Sequence, residues 1–317
     1  MDYTADNIDQ LVVITGPTAT GKTRLAAVLA ASIGGEIISA DSRQVYRGMD
    51  IGTGKDLRDY VVDGKLVPSH LVDIADPGEA YHVYAFQRDF LQAFQQITRR
   101  GRQAFLCGGT GLYVDAAISG YRLIRVPEDP HLREELEQMS MHALTDMLAG
   151  MKALHNTTDT TDKNRLIRAI EIARHEQAHP DKKPALPPIK PVIFAIHFER
   201  SELRQRITER LKVRLRDGMV DEVRRLLEGG LQPAQLRFYG LEYRHVTDYL
   251  TGDLTHEEMF QKLNTAIHQF AKRQMTWFRR MERKGHTIHW IDGHLPLEDK
   301  MQTVISIIDG DAGKINS

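Results

Sequence analysis

Short apolar runs alternate with longer stretches of helical periodicity along the first 120 residues. Buried strands are predicted at residues 11–15, 36–40, 70–74 and 103–107. Residues 81–98 instead carry apolar side chains at helical spacing, including Val83, Phe86 and Phe90. Strands that alternate with helices in this way are typical of a parallel sheet. We therefore predict an α/β fold for this part of the chain.

The pattern changes near Gly120, after which no strand is predicted between residues 127 and 177. Apolar residues at helical spacing predict a strong helix over residues 162–177. A proline-rich break over residues 180–191 follows, and residues 192–196 restore the strand pattern. We therefore predict an all-helical insertion, residues 121–189, within an α/β core formed by residues 1–120 and 190–317.

The last third of the chain is predominantly helical, and its longest helix is basic. Helices are predicted over residues 200–216, 220–227 and 256–284, followed by a strand over residues 287–292. The stretch 271–284 contains Lys272, Arg273, Arg279, Arg280, Arg283 and Lys284 against a single acid, Glu282. Cations mixed with aromatic rings suit a track for a nucleic-acid backbone. The spacing of Phe270, Trp277 and Met281 instead favours a core-facing side with the arginines exposed.

The composition narrows the class of protein without naming an activity. The 317 residues carry a net charge of −1, so only the local clustering of cations points toward nucleic acid. Cys107 is the single cysteine, which excludes a disulfide framework and a cysteine-based zinc finger. No apolar run approaches the ~20 residues of a membrane span, and the first ten residues are polar and acidic, unlike a signal peptide. We expect a monomeric cytoplasmic protein that does not enter the membrane.

The first predicted strand runs directly into a complete phosphate-binding loop, G-x-x-x-x-G-K-T, with a helical pattern after it. The loop consists of Gly16, Pro17, Thr18, Ala19, Thr20, Gly21, Lys22 and Thr23. Its glycines allow backbone N–H groups to surround an anion, and the following helix directs its positive end at the same point. Lys22 is expected to reach the phosphates and the Thr23 hydroxyl to hold Mg²⁺. The sequence therefore predicts a site for a di- or triphosphate.

Three further sets of polar residues are candidates for chemistry or RNA binding. Asp41 follows the second strand. Three roles are open to it there: a general base, a group near the Mg²⁺, or a turn residue. Arg237 lies in a predicted loop and suits a developing charge on a departing diphosphate, or is an ordinary surface arginine. Asn164, Arg165 and Arg168 share one helix and form either an RNA contact or a solvated face.

Eight sequence blocks, in order along nearly the whole chain, resemble the bacterial type of the tRNA dimethylallyltransferase (tRNA isopentenyltransferase) family. The blocks are GPTATGKT (16–23), DSRQVYRGMDIGTGK (41–55), VPSHLVDI (67–74), GGTGLY (108–113), DPHLR (129–133), NRLIRAIE (164–171), RFYGLEYR (237–244) and AKRQMTWFR (271–279). The phosphate loop is shared by many enzymes, whereas the second and last blocks are far more particular. Two positions depart from the family pattern: Asp56 stands where a proline usually follows, and Ser69 replaces a histidine.

The resemblance implies a P-loop NTPase-like parallel sheet flanked by helices, with a helical insertion that contacts tRNA. It also implies transfer of a dimethylallyl group from dimethylallyl diphosphate to the exocyclic N6 amine of the adenosine 3′-adjacent to the anticodon, assisted by Mg²⁺. The implied partners are dimethylallyl diphosphate and the anticodon stem-loop of tRNA. In this reaction the phosphate loop holds a leaving group, because the bond that breaks is carbon–oxygen.

The resemblance also assigns roles to the candidate residues. The phosphate loop binds the diphosphate, Thr23 binds Mg²⁺, Asp41 accepts the proton of the adenine amine, and Arg237 stabilises the departing diphosphate. The implied tRNA contacts are Asp41, Ser42, Arg43, Gln44, Thr110, Arg133, Asn164, Arg165, Leu166, Ile167 and Arg168.

Three other functions remain open on the sequence alone. An adenylate dimethylallyltransferase, which acts on free AMP, ADP or ATP, shares the phosphate loop and the base, although the complete insertion and the basic helix favour tRNA. A small-molecule kinase would use the same loop for ATP. A non-catalytic RNA-binding module would need no base at Asp41.

Overall fold

The computed structural model describes residues 9–152, 162–179 and 186–312. The chain divides into two compact units, one formed by Met1–Gly120 with Pro187–Ser317 and the other by Tyr121–Leu186. The first eight residues and residues 180–185 of the proline-rich break lie outside the described part.

The first unit is built on a six-stranded sheet in which every neighbouring pair of strands is parallel. The described strands of this unit, inside and outside that sheet, are β1 (Asp9–Thr15), β2 (Glu36–Ser39), β3 (Val61–Val62), β4 (Lys65–Leu66), β5 (Ser69–His70), β6 (Ala104–Cys107), β7 (Ile189–His197) and β8 (Ile288–Asp292). The order across the sheet is β5-β2-β6-β1-β7-β8, while β3 and β4 form a separate antiparallel pair. The strand before the phosphate loop therefore lies inside the sheet, and the predicted parallel α/β fold is confirmed.

Helices flank this sheet, and all the regular elements described in the second unit are helices. They are α1 (Lys22–Ile33), α2 (Val83–Arg99), α3 (Gly111–Ile118), α4 (Pro130–Glu137), α5 (Met141–Met151), α6 (Lys163–Ala178), α7 (Arg200–Arg216), α8 (Met219–Glu228), α9 (Pro233–Leu236), α10 (Leu241–Leu250), α11 (His256–Arg283) and α12 (Leu297–Ala312). None of the helices in the described ranges is long and apolar enough to cross a lipid bilayer.

Successive side chains of β1 enter two different cores because side chains alternate between the faces of a strand. Leu11 and Val13 pack with α2, α3 and the end of α11, whereas Val12 and Ile14 pack with α1 and α12. All four side chains are fully buried. A strand covered on both faces reads as an unbroken apolar run, which is why the sequence reveals it so clearly.

A third core joins α7, α8, α10 and α11 to the segment that follows β2. Tyr46 and Met49 of that segment are buried in it, as is Tyr243 of α10. The Tyr46 ring also meets the Tyr239 ring edge-on at 4.7 Å. The second sequence block is therefore fixed against the C-terminal helices, which places its polar residues at the carboxyl edge of the sheet.

The second unit has a small core of its own between α4, α5 and α6. Its buried members are Leu136, Leu144, Leu148, Leu166, Ile167, Ala169, Ile170 and Ala173. Side-chain oxygens at Asp129, Ser140 and Asp162 accept hydrogen bonds from the first turns of the three helices. Such caps satisfy backbone N–H groups that have no partner within the helix.

Two sequence predictions differ from the structure in detail. The predicted strand at residues 70–74 is reduced to β5, because Leu71 and Asp73 adopt positive φ angles of 62° and 54° that leave the strand conformation. On α11 the core-facing positions include Gln274 and Phe278, whereas Phe270 is 36% exposed. The prediction that Phe270 faces the core is therefore wrong.

Candidate active site

The phosphate loop connects the end of β1 to the start of α1 in an anion-binding conformation. Gly16 and Gly21 have φ angles of 146° and 80°, which glycine adopts without strain. A Cβ atom at Gly16 would also lie 2.8 Å from the Ile196 carbonyl oxygen, so a side chain does not fit there. Gly21 is the residue before α1, and the positive end of that helix points into the loop.

A cavity of about 390 Å³ opens at this loop. It is lined by Ala19, Gly21, Lys22, Thr23, Asp56, Asp59, Arg206, Glu209 and Arg210. Burial lowers the pKa of Lys22, and within the described ranges its ammonium group donates only a long hydrogen bond of 3.4 Å to the Pro17 carbonyl oxygen. An anion in this cavity would compensate the desolvation of Lys22.

Asp41 lies directly beyond β2, and the neighbouring strand β6 leads to Thr110. The Thr110 N–H donates to the Ala40 carbonyl at 3.2 Å, and the Thr110 hydroxyl accepts from the Ser42 N–H at 3.1 Å. Asp41 Oδ1 accepts from the Arg43 N–H at 3.0 Å, which is the turn role considered from the sequence. Because β1 and β2 both pair in parallel with β6, the phosphate loop after β1 and Asp41 after β2 lie at the same edge of the sheet.

The three residues after Asp41 (Ser42, Arg43 and Gln44, together the Asp41 segment) are half-buried and have partners within the protein. The Arg43 guanidinium lies over the Phe238 ring, 5.6 Å from its centroid. Gln44 Nε2 donates to the Gly54 carbonyl oxygen at 3.2 Å. These contacts order the side chains that were predicted to contact tRNA.

Gln274 of α11 connects the phosphate loop to the loop after β6. Its Oε1 accepts from the Thr18 N–H at 2.9 Å, and its Nε2 donates to the Gly109 carbonyl at 2.8 Å. The side chain is 4% exposed. Gln274 lies in the AKRQMTWFR block without a role that the sequence indicates, and the one available signal is a polar residue at a core-facing helix position.

The loop between Met49 and Lys55 is held by a buried carboxylate from α8. Glu222 accepts hydrogen bonds from the Asp50, Ile51 and Gly52 N–H groups at 2.9, 2.7 and 2.9 Å. The Tyr243 hydroxyl donates to the same carboxylate at 2.7 Å. These bonds fix the glycine-rich loop against α8 and α10, next to the Asp41 segment.

Arginines at four-residue spacing on α7 face the phosphate loop. Arg206 Nε donates to the Ala19 carbonyl at 3.1 Å, and Arg210 Nη1 donates to the Thr18 hydroxyl at 3.2 Å. Arg210 Nη2 also bonds Asp56 at 2.5 Å, so the residue that departs from the family pattern pairs with this arginine. Neither arginine was predicted as a site residue from the sequence, although their i, i+4 spacing places them on one helix face.

Within the described part of the chain, Arg237 makes no hydrogen bond or ion pair with the phosphate loop. Its guanidinium donates to Asp248 at 2.7 Å, to Asp253 at 2.9 Å and to the Thr251 hydroxyl at 3.2 Å. Both ion pairs lie around the end of α10. The leaving-group role of Arg237 therefore remains a prediction from the resemblance, without support from its contacts.

In the second unit, Arg133 and Arg168 both bind the carboxylate of Glu171. Arg133 donates to it at 2.8 and 2.9 Å, and Arg168 donates at 2.9 Å. The Asp129 N–H adds a fourth bond at 3.1 Å. Burial alone would raise the pKa of Glu171, but the hydrogen bonds from Arg133 and Arg168 outweigh it and lower that pKa. Two predicted RNA-binding arginines are thus held in fixed positions, with part of each side chain exposed.

The four other predicted residues of α6 separate by helix face. Asn164 and Arg165 are exposed, whereas Leu166 and Ile167 are 0% and 3% exposed in the core of the unit. Their apolar side chains stabilise the packing of α6 on α4 and α5. The contact of Leu166 and Ile167 with tRNA stays a prediction, and their buried side chains are not the atoms that could make it.

The residues around Thr23 fit a magnesium ion that arrives with a phosphate ligand. Among the described residues, no three His, Cys, Asp or Glu side chains converge on a metal site. Magnesium in phosphate sites uses few protein ligands and takes the rest from phosphate and water. Thr23 lines the cavity together with the carboxylates of Asp56 and Asp59, which matches such a set of donors.

Comparison with known protein families matches most of the chain. The IPP transferase family model matches residues 44–281, and the Isopentenyl transferase model matches residues 9–65. The tRNA dimethylallyltransferase 2 of Bacteroides fragilis is 54% identical over 294 residues, which cover 93% of this chain and 96% of that protein.

Solved structures show the same relationship. The tRNA isopentenylpyrophosphate transferase of Bacillus halodurans is 34% identical and superposes with a TM-score of 0.71, covering 97% of this chain and 98% of its own. A eukaryotic dimethylallyltransferase described as acting on tRNA has a TM-score of 0.72 over 90% of this chain and 74% of its own. At 22% identity, that second likeness concerns the fold alone.

Proposed function

The chain belongs to the tRNA dimethylallyltransferase family, and from this we propose how its residues carry out the reaction. The enzyme transfers the dimethylallyl group of dimethylallyl diphosphate to the exocyclic N6 amine of the adenosine 3′-adjacent to the anticodon in tRNA. We propose that it works as a monomer in the cytoplasm, where tRNA is available.

The observation that carries the assignment of residues is the position of Asp41 beside the phosphate loop. The adenine N6 atom attacks the first carbon of the dimethylallyl group, and the carbon–oxygen bond to the diphosphate breaks. The electron pair of that bond leaves on the diphosphate, and Asp41 accepts the proton released by N6. Because Oδ1 is occupied by the Arg43 N–H, the second carboxylate oxygen is the one that takes the proton.

The diphosphate is assigned to the phosphate loop. Backbone N–H groups of the loop, the end of α1 and the Lys22 ammonium surround the cavity where negative charge increases as the bond breaks. Arg210 reaches the same cavity from α7 and bonds Thr18 within the loop. Mg²⁺, held by Thr23 and diphosphate oxygens, would supply further neutralisation of the leaving group.

The tRNA contacts are proposed from residues that the structure leaves accessible. Ser42, Arg43 and Gln44 lie next to the base, and Thr110 orders that segment through its bond to Ser42. On the second unit, the accessible residues are Arg133, Asn164, Arg165 and Arg168. Arginine and asparagine side chains on a helix suit phosphate and base contacts, while an adenine removed from its stack can reach the half-buried carboxylate of Asp41.

The test of this function offers the purified enzyme dimethylallyl diphosphate with either unmodified tRNA or AMP. Mass spectrometry of the digested nucleosides then locates any added dimethylallyl group. We expect a modified adenosine next to the anticodon and little product from AMP. Preferential modification of AMP would show that the substrate is a free nucleotide, and turnover of ATP with intact dimethylallyl diphosphate would show a kinase.

A further inference from the structure

Arg214 continues the row of arginines on α7 by one more turn. Arg206 bonds the phosphate loop at Ala19 and Arg210 bonds it at Thr18, so the row of arginines runs along the loop. The guanidinium of Arg214 lies against Gly54, where any side chain would overlap it. Gly54 has a φ of 64°, a backbone conformation that glycine adopts without strain, and its lack of a side chain leaves room for the guanidinium.

The donors of Arg214 have no hydrogen-bond partner among the described residues. Its Nε atom is buried and unpaired. The nearest carboxylate oxygen, Oε1 of Glu242, is 3.6 Å from Nη1, which is too long for a hydrogen bond. The side chain is only 11% exposed. An arginine has five N–H donors, and buried donors are normally satisfied.

The charges around Arg214 explain why this arrangement is costly. Burial and the neighbouring Arg210 lower the pKa of Arg214 to about 10. Asp56 is already bonded to Arg210, and burial raises the pKa of Glu242, which further weakens the only nearby ion pair. A buried cation without good partners destabilises a protein, so its presence in this position calls for a ligand that supplies the missing acceptors.

We propose that Arg214 binds the diphosphate of the prenyl donor beside Arg210, whose guanidinium lies against the same glycine, Gly54. This inference rests on the proposed function, because it takes the anion to be that diphosphate. Arg210, which shares the space against Gly54 with Arg214, bonds the Thr18 hydroxyl of the phosphate loop at 3.2 Å, so the row of arginines leads from Arg214 to the phosphate-binding group. Diphosphate oxygens would then satisfy the free donors and bring the three cations Lys22, Arg210 and Arg214 around one ligand.

The test compares Arg214→Met with Arg216→Met, a matched control that removes an exposed arginine from the same helix. Binding of magnesium pyrophosphate to the full-length protein is measured by titration calorimetry, and KM is measured separately for dimethylallyl diphosphate and for tRNA. We expect Arg214→Met to weaken pyrophosphate binding by about 10- to 100-fold, the range for lost hydrogen bonds to a charged group. The KM for tRNA and the affinity of the control should change less than about two-fold.

A role in packing alone gives a different result. Removing a buried cation with free donors should leave the thermal midpoint of the ligand-free protein unchanged or raised, whereas a packing role lowers it and leaves pyrophosphate affinity intact. If Arg214→Met does not fold, Arg214→Gln is judged by the same criteria. Unchanged pyrophosphate binding in the folded variant would overturn the inference, while failure of the wild-type enzyme to modify tRNA would count against the proposed function only.

Discussion

Replacing Gln274 by leucine should destabilise the phosphate loop, although Gln274 lies on α11, a helix far from the loop in sequence. The change keeps the approximate size of the side chain but removes the acceptor for the Thr18 N–H and the donor to the Gly109 carbonyl. Each buried backbone group left without a partner costs about 1–3 kcal/mol, and the added apolar contact offsets part of this. We therefore expect the free energy of unfolding to fall by roughly 2–4 kcal/mol.

Urea denaturation followed by circular dichroism measures this loss, with Gln269→Leu as the control because Gln269 is exposed on the same helix. Hydrogen exchange of the peptide containing residues 16–23 should become faster in Gln274→Leu only, since the Thr18 N–H loses its acceptor. Pyrophosphate affinity should fall as the loop loosens. If both variants have the same denaturation midpoint and the same exchange in the loop, Gln274 does not hold the phosphate loop as described.

Three further changes address the base, the glycine-rich loop and the second unit. Asp41→Asn should lower the prenylation rate by about 10²- to 10⁴-fold, with tRNA binding retained in filter-binding assays; normal turnover would remove the carboxylate from the mechanism. Glu222→Gln should lower the thermal midpoint and the rate together, because an amide cannot accept all four bonds made by that carboxylate. Glu171→Gln should destabilise the second unit by about 1–3 kcal/mol at pH 7. Because the folded pKa of Glu171 is below its unfolded value, this contribution is present above about pH 4.3 and disappears as pH falls through the folded pKa. Thermal midpoints of both proteins from pH 7 to pH 2 should therefore converge, and a constant difference would contradict the assignment.

Local patterns were sufficient for the sheet and the phosphate loop. An apolar run such as β1 is buried on both faces, and glycines with positive φ mark the turn after it, so both features depend on adjacent residues. The position of Asp41 followed from the rule that parallel strands end at one edge. These are properties that a single sequence expresses without knowledge of the packing.

The remaining features of the site depend on contacts between distant segments. Gln274 and Arg214 act through residues far away in sequence, so their spacing alone identified neither. Leu166 and Ile167 carried two signals, apolar helical spacing and membership of a block predicted to bind RNA, and the structure shows that their side chains follow the first. Arg237 shows the opposite case, in which the partners that bind it, Asp248 and Asp253, lie nearby but had no recognised role.

The bond between Gln274 and the phosphate loop also has a consequence for biosynthesis. Thr18 and Gln274 are separated by 256 positions along the chain. At translation rates of 5–20 residues per second, roughly 13–50 s pass between the synthesis of the loop and that of its partner. Strand β7, which pairs with β1 along its whole length, is also made late. The nascent polypeptide therefore carries a complete phosphate-loop motif long before Gln274 is made, and we expect the loop to gain its bond to Gln274 only after α11 has left the ribosome.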